Sequence, residues 1–328
     1  MDDFTSSLIQ EFNFKPKYIK KLKYMYICYT DKGAKLIKPV SNSTENIEFI
    51  HKVKQHLKAQ NFNNIDFYYT TKDGLPYFLN DNITYVITDY IEFEECDFSN
   101  EKHILNSIKC IANFHKFCQG TKPPLNETET NCLDIKLYYE KKLKSLKRMK
   151  KYAFKQKNFK DFDFNFVKNY DYFFENALKS IEILEKYNYS ILKKEACRKV
   201  MICHNKLKEE SLLIKNEKAF LCNLENISIN HYINDLYKFL IRYIRKHETN
   251  TLTLEKILNE YTKINYIDNN IFPILYAMLL FPERYIEICE NFYERKRSFT
   301  PIYISSQIEN ILYLKEYHKN FISLIKPN

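Results

Sequence analysis

The stretch MICHNKLKEESLLI, Met201 to Ile214, runs from an apolar approach through a polar middle to an apolar exit. That pattern predicts a loop feeding a short strand. SLLI, a turn at KNEK and a return run AFLCNL then predict a hairpin ending near Asn223. Three side chains bound the chemistry of this loop. Lys206 carries an ammonium, which has no lone pair to accept a proton near neutral pH. Ser211 offers a hydroxyl on a short arm and Asn223 a neutral amide, whereas a hard dication prefers carboxylate oxygen.

Working outward, the N-terminal part of the chain has β character. KYIKKLKYMYICYTDKGAKLIKPV alternates aromatic or aliphatic with polar residues around a TDKG hairpin turn. A helix is predicted at 44–59, with Ile47, Ile50, Val53 and Leu57 along one side. NIDFYYTT, LPYFL and ITYVITDYI, separated by KDG and DN turns, predict further strands. After EFEECDF the chain turns mostly helical, with periodic runs at Glu101–Phe117, Ile135–Tyr152, Phe166–Tyr187 and His231–His247. A Pro-Pro loop interrupts at Pro123, and later breaks fall at Pro273, Pro282 and Pro301.

This order predicts an α+β chain in three parts. Residues 1–91 form a β-rich N-lobe with one main helix, 92–98 a hinge, and 99–328 a large helical C-lobe. The C-lobe holds the loop at 204–211 and the hairpin at 212–223. It is the layout of a two-lobed, protein kinase-like fold.

Composition removes several other classes. Nine cysteines, an odd number with no Cys-x-x-Cys, argue against a disulfide scaffold or a zinc site and fit a reducing cytoplasm. The start MDDFTSSLIQEF lacks a basic region followed by an apolar one, so no secretory signal is expected. The longest apolar stretch, Ile271 to Phe281, is too short to span a bilayer, and no membrane insertion is expected. The formal charge of +10 is concentrated at 136–160, where eleven Lys and Arg interleave with Leu137, Leu143, Leu146 and Met149. This reads as an amphipathic helix with a basic face, either solvated or meeting an anionic partner. No base-reading motif accompanies it, so nucleic acid is not expected.

A phosphotransferase of the kinase-like fold works mainly by positioning its groups and neutralising phosphate charge. It needs a third-strand lysine paired with a helix glutamate, an aspartate base in the loop, and Asn and Asp ligands for magnesium. Lys38 ends the third predicted strand, and Glu48, with Glu45 as the alternative, is its expected partner in a vestigial nucleotide site. His204 keeps its place in the loop, but Lys206 stands at the base position and Ser211 and Asn223 at the metal positions. Three glycines in the whole chain leave no glycine-rich cover for phosphates. Asp235 stands where an aspartate would brace the loop's backbone, or is an ordinary acid in a helix's first turn.

These residues carry a resemblance. The chain resembles the CotS-type spore coat proteins, on the aminoglycoside phosphotransferase and choline kinase-like branch of the fold, over nearly its whole length. The resemblance rests on TDKGAKLIKPV, HLKAQNFNNIDFYYTTKDGLPYFLNDNITYVITDYIEFEECDF, IANFHKF, ICHNKLKEESLLI and INDLYKFLIRY. Members commonly show CH-D----N-L followed by IDFD, from which this chain departs at Lys206, Ser211, Asn223 and Glu225. The resemblance implies synthesis in the mother-cell cytoplasm, assembly into the spore coat, and other coat proteins as partners. The departures imply a pseudokinase with no catalytic residues, no bound metal and no cofactor. The alternative is a phosphotransferase using ATP and magnesium with displaced ligands, for which Glu225, Glu209 and Glu210 are the candidates.

Overall fold

Alternating strands and tight turns build the first sheet of the protein. The computed structural model describes residue 8 and residues 11–121, 134–246, 250–294 and 301–325. The Pro-Pro loop at Pro123 lies outside the described residues. Packing divides the chain into two compact units. Unit 1 takes residues 1–130, 199–235 and 263–265, and unit 2 takes 131–198, 236–262 and 266–328. Residues 99–121 and the loop at 204–211 fall within unit 1.

Unit 1 opens with β1 (Pro16–Leu22), β2 (Met25–Thr30) and β3 (Gly33–Val40), then α1 (Thr44–Ala59), β4 (Phe78–Asn80) and β5 (Ile83–Asp89). The five strands form one antiparallel sheet in the order β1-β2-β3-β5-β4. The β2–β3 turn closes on Gly33, whose φ of +87° suits glycine. The β4–β5 turn uses Asp81 and Asn82, both at positive φ, as a two-residue hairpin requires. Phe12, Phe14, Cys28, Ile37, Tyr85 and Ile87 form a core on this sheet.

One predicted strand did not form. NIDFYYTT is extended but builds no continuous ladder: Ile65 forms an isolated parallel bridge to Leu221, and the Tyr69 N–H donates to the Ile87 carbonyl of β5 at 2.9 Å. β3 takes one edge of β5 and β4 takes residues 83–85 of the other, which leaves the segment a single bond at Ile87. The segment therefore crosses the unit as a strap, which places Asp66 beside α1.

The rest of unit 1 is β6 (Glu94–Glu95), α2 (Glu101–Phe117), β7 (Ile202–Cys203), β8 (Leu212–Lys215), β9 (Lys218–Leu221) and β10 (Ser228–Ile229). The β8–β9 hairpin pairs with β6, and β7 pairs with β10.

Unit 2 is helical: α3 (Ile135–Ala153), α4 (Asp161–Lys186) and α5 (Tyr189–Lys199), then α6 (Ile233–Lys246), whose first turn lies in unit 1. It continues through α7 (Thr251–Thr262), α8 (Phe272–Leu280), α9 (Glu283–Tyr293) and α10 (Pro301–Leu324). The apolar stretch at 271–281 is the buried helix α8, with Pro273 in its first turn, where a missing N–H costs nothing. Among the described residues, no helix is long and apolar enough to cross a membrane.

Four of the eight basic side chains of α3 meet acids of the same unit. Lys142 meets Glu290 at 2.6 Å in a nearly buried pair, Arg148 meets Glu294 at 2.5 Å, and Lys150 meets Asp171 at 3.0 Å. Lys136 reaches Glu185 at 3.3 Å. The sequence shows the lysines together but scatters their acid partners over α4 and α9.

Candidate functional site

β3 sets Lys38 opposite Val86 of β5 and leaves it 7% exposed. Its Nζ lies 2.7 Å from Glu225 Oε1, 3.3 Å from Asp66 Oδ2 and 3.1 Å from Asn223 Oδ1. A second lysine, Lys54 of α1, is fully buried beside it. Lys54 donates to Asp66 Oδ1 at 3.0 Å and to the Asp66 carbonyl, and its Nζ sits 3.6 Å from the Tyr68 ring centroid. Two ammoniums and two carboxylates thus form a closed, formally neutral cluster.

The cluster's electrostatics follow from this enclosure. Burial alone would lower the Lys38 pKa, but the carboxylates of Asp66 and then Glu225 outweigh it and raise the pKa well above its usual range. Lys54 goes the other way. Burial lowers its pKa, Asp66 opposes only in part, and Lys38 adds repulsion. Asp66 is pushed up by burial, yet the ammoniums of Lys54 and Lys38 bring its carboxyl below the ordinary value.

Glu48 and Glu45 do not reach Lys38. With roughly 100° per residue, they fall on the side of α1 away from the Ile47–Ile50–Val53–Leu57 stripe. Lys54 falls inside that stripe, four residues after Ile50 and three before Leu57. The helix therefore brings a cation to Lys38, and the strap supplies the carboxylate.

The loop is braced by one aspartate. Asp235, in the first turn of α6, accepts the backbone N–H of His204 at 2.6 Å and of Asn205 at 2.8 Å. His115 Nε2 lies 3.0 Å from the same carboxylate, and its ring stacks on Tyr232 with centroids 4.5 Å apart. The Cys203 thiol points at the carbonyls of Asn230 and His231, at 3.2 and 3.3 Å. Although His115, Cys203 and Asp235 bring ligand-type atoms within 4.8 Å of one another, these bonds already employ them as a brace. Asn205 adopts the left-handed conformation, at φ 63°, and its side-chain amide holds the loop to Asn226 O at 3.0 Å.

His204 is fully buried and donates through Nε2 to the Cys222 carbonyl at 2.9 Å. Burial holds its pKa below the usual imidazole value, with Asp235 opposing only partly. Lys206, by contrast, is exposed. The Ser211 hydroxyl accepts the Lys208 N–H at 2.7 Å and turns its own proton to the carbonyls of Lys208 and Lys206, at 2.8 and 3.1 Å. Asn223, at φ 62°, bridges Lys38 and the Glu210 carbonyl, the latter at 2.8 Å. Glu210 pairs with Lys208 at 3.5 Å.

The oxygens around this cluster are an amide, a hydroxyl already bonded within its loop, the Glu225 carboxylate paired with Lys38, and the Asp66 carboxylate shared by Lys38 and Lys54. This donor set does not fit a magnesium ion held at Ser211 and Asn223.

The profile of the family described as "Spore coat putative kinase YutH" matches residues 5–325. The chain belongs to this family. An aminoglycoside phosphotransferase from Alicyclobacillus acidocaldarius superposes with a TM-score of 0.88 at 14% identity, covering 98% of this chain and 94% of its own. The AMP-bound spectinomycin phosphotransferase APH(9)-Ia gives 0.59 at 12% identity, over 95% of this chain and 97% of its own. A choline/ethanolamine kinase family protein from Mesorhizobium loti gives 0.52 at 10% identity, over 94% and 93%. At such identities the likeness is one of fold. This YutH-family chain has the kinase-like fold that these structures share.

The sequence reading missed Lys54, Asp66, His115 and Asn205. Lys54 had a signal: a lysine at an apolar position of a helical stripe must be buried with a partner. Asp66 had a weaker one, an acid inside the apolar run NIDFYY. His115 and Asn205 had none, because their roles depend on contacts with Asp235, distant in sequence.

Proposed function

We propose that this protein is a non-catalytic, kinase-like component of the spore coat that acts as a scaffold among other coat proteins. The observation that carries this reading is the capture of Lys38 by Asp66, Asn223 and Glu225, in a site whose base position is Lys206. Two carboxylates and an amide oxygen already take the three N–H donors of Lys38, so a phosphate could meet it only by displacing one of them. A loop without a base loses roughly 10²–10⁴ in rate from that cause alone. The placement in the coat, after synthesis in the mother cell, rests on the family.

A second reading keeps one specific observation in its favour. The Glu225 carboxylate lies at the cluster, two residues past Asn223, where a moved metal ligand would have to be. On this reading the protein transfers phosphate from ATP with magnesium at Glu225.

One assay separates the two. The protein is incubated with magnesium and gamma-labelled ATP, alone and with sporulating-cell extract, and thermal shift is read in parallel. The scaffold reading expects no label transferred and no magnesium-dependent shift. Transfer that Glu225→Gln abolishes would overturn it.

A further inference from the structure

The turn between α3 and α4 is unusual in what it leaves uncovered. Tyr152, Phe154, Phe159 and Phe164 are 49%, 58%, 49% and 61% exposed. Single exposed apolar side chains need no explanation, but Phe154 and Phe159 share one short turn, with Tyr152 and Phe164 on the helix ends that flank it.

The geometry of unit 2 makes this turn a tip. Lys136 pairs with Glu185 and Lys150 with Asp171, so α3 and α4 run antiparallel and residues 154–160 join their ends. Lys151, Lys155, Lys157 and Lys160 are all exposed there. The helix-body cations Lys136, Lys142, Arg148 and Lys150 are spent on acids of the same unit. No ion pair engages the four at the tip among the described residues. The nearby acids do little to cancel them. Asp163 is buried, accepting the Lys160 N–H at 2.9 Å and the Tyr293 hydroxyl at 2.7 Å. Asp161 sits at the first position of α4, where the helix dipole favours it.

We propose that this hairpin tip docks on an anionic lipid bilayer, with its aromatic rings among the headgroups and its lysines over the lipid phosphates. Rings interleaved with ammoniums at a protruding turn match both layers of a bilayer interface at once. An acidic protein surface is the competing occupant, and the polyglutamate arm of the test below separates it from the bilayer. The association is peripheral. It is independent of whether the Lys38 site is catalytic.

The test is co-sedimentation of the full chain with phosphatidylglycerol–phosphatidylcholine vesicles and with pure phosphatidylcholine vesicles. Binding is expected to the first and not the second. The triple variant Lys151→Glu, Lys155→Glu, Lys157→Glu should weaken it on the order of 100-fold, taking about fivefold per lysine. Phe154→Ser with Phe159→Ser should weaken it about tenfold or more through lost apolar burial. The charge-matched control Lys20→Glu with Lys21→Glu, on exposed positions of β1, should bind as the wild type does. All these positions are exposed, so the variants are expected to fold, and circular dichroism checks this. Three results would overturn the proposal: no difference between the vesicle types, equal loss in the β1 control, or capture by polyglutamate beads without vesicle binding. Self-association in the absence of lipid that Phe154→Ser abolishes would also overturn it, by assigning the tip to a second copy.

Discussion

Replacing Asp66 by Asn tests whether the buried cluster is charged and enclosed. Among the described residues, Asp66 is the one carboxylate in contact with Lys54, at 3.0 Å, and it also reaches Lys38 at 3.3 Å. At an effective dielectric of about 20, each pair is worth roughly 5 kcal/mol of Coulomb attraction. The whole loss will not appear, because Lys54 can shed its proton instead. Taking a lysine from about 10.4 to below neutral pH costs about 1.4 kcal/mol per unit, or roughly 5 kcal/mol. That sets a ceiling, close to the ~3–5 kcal/mol typical of removing one member of a buried pair.

Asp66→Asn is therefore expected to lose about 3–5 kcal/mol at pH 7. The pH dependence has a definite sign. In the variant the folded state holds Lys54 neutral while the unfolded chain binds a proton, so stability rises with pH. Between pH 7 and 9 the penalty should shrink by about 1.4 kcal/mol per unit. Adding Lys54→Met should restore most of the loss, because Lys38 keeps Glu225. Urea unfolding followed by far-UV circular dichroism serves, since the chain has no tryptophan. A penalty below about 1 kcal/mol, or one indifferent to pH, would refute a charged and enclosed Lys54.

Three further outcomes are expected. Asp235→Ala should cost about 3 kcal/mol or more, because it leaves two buried backbone donors unpaired, and should expose the loop to trypsin at Lys206; unchanged proteolysis would count against the brace. Lys142→Ala should cost about 3 kcal/mol by removing the cation 2.6 Å from the nearly buried Glu290, while the exposed Lys141→Ala should fall within about 0.5 kcal/mol, both read by urea midpoint. Burial holds His204 below the ordinary imidazole range, so the unfolded chain takes its proton first and stability falls as pH drops below about 6.5, by at most about 1.4 kcal/mol per unit. His204→Gln should remove that share of the acid slope, and an identical slope would place the titration elsewhere.

Legibility in the sequence followed the range of the interactions. The helix at Thr44–Ala59 and the one at Glu101–Phe117 were readable to the residue, because local periodicity and capping set both. The β2–β3 and β8–β9 hairpins were readable from turn chemistry. The strand expected at NIDFYYTT failed, because pairing depends on which edges are free, and β3 and β4 leave only part of one edge of β5. Lys38 was located by strand order, but its partners were not, since Asp66 and Glu225 lie 28 and 187 residues away.

The sequence by itself determined which chemical groups stand at the loop: an ammonium at Lys206, a hydroxyl at Ser211 and an amide at Asn223. Composition cannot be undone by folding, so these identities hold whatever surrounds them. Only the tertiary structure decided that Lys38 is held by carboxylates, that Lys54 shares Asp66 with it, and that four of the cations along α3 are paired with acids of the same unit while those at its tip are not. Charge pairing acts over a few ångströms of space, and separation along the chain does not measure that distance.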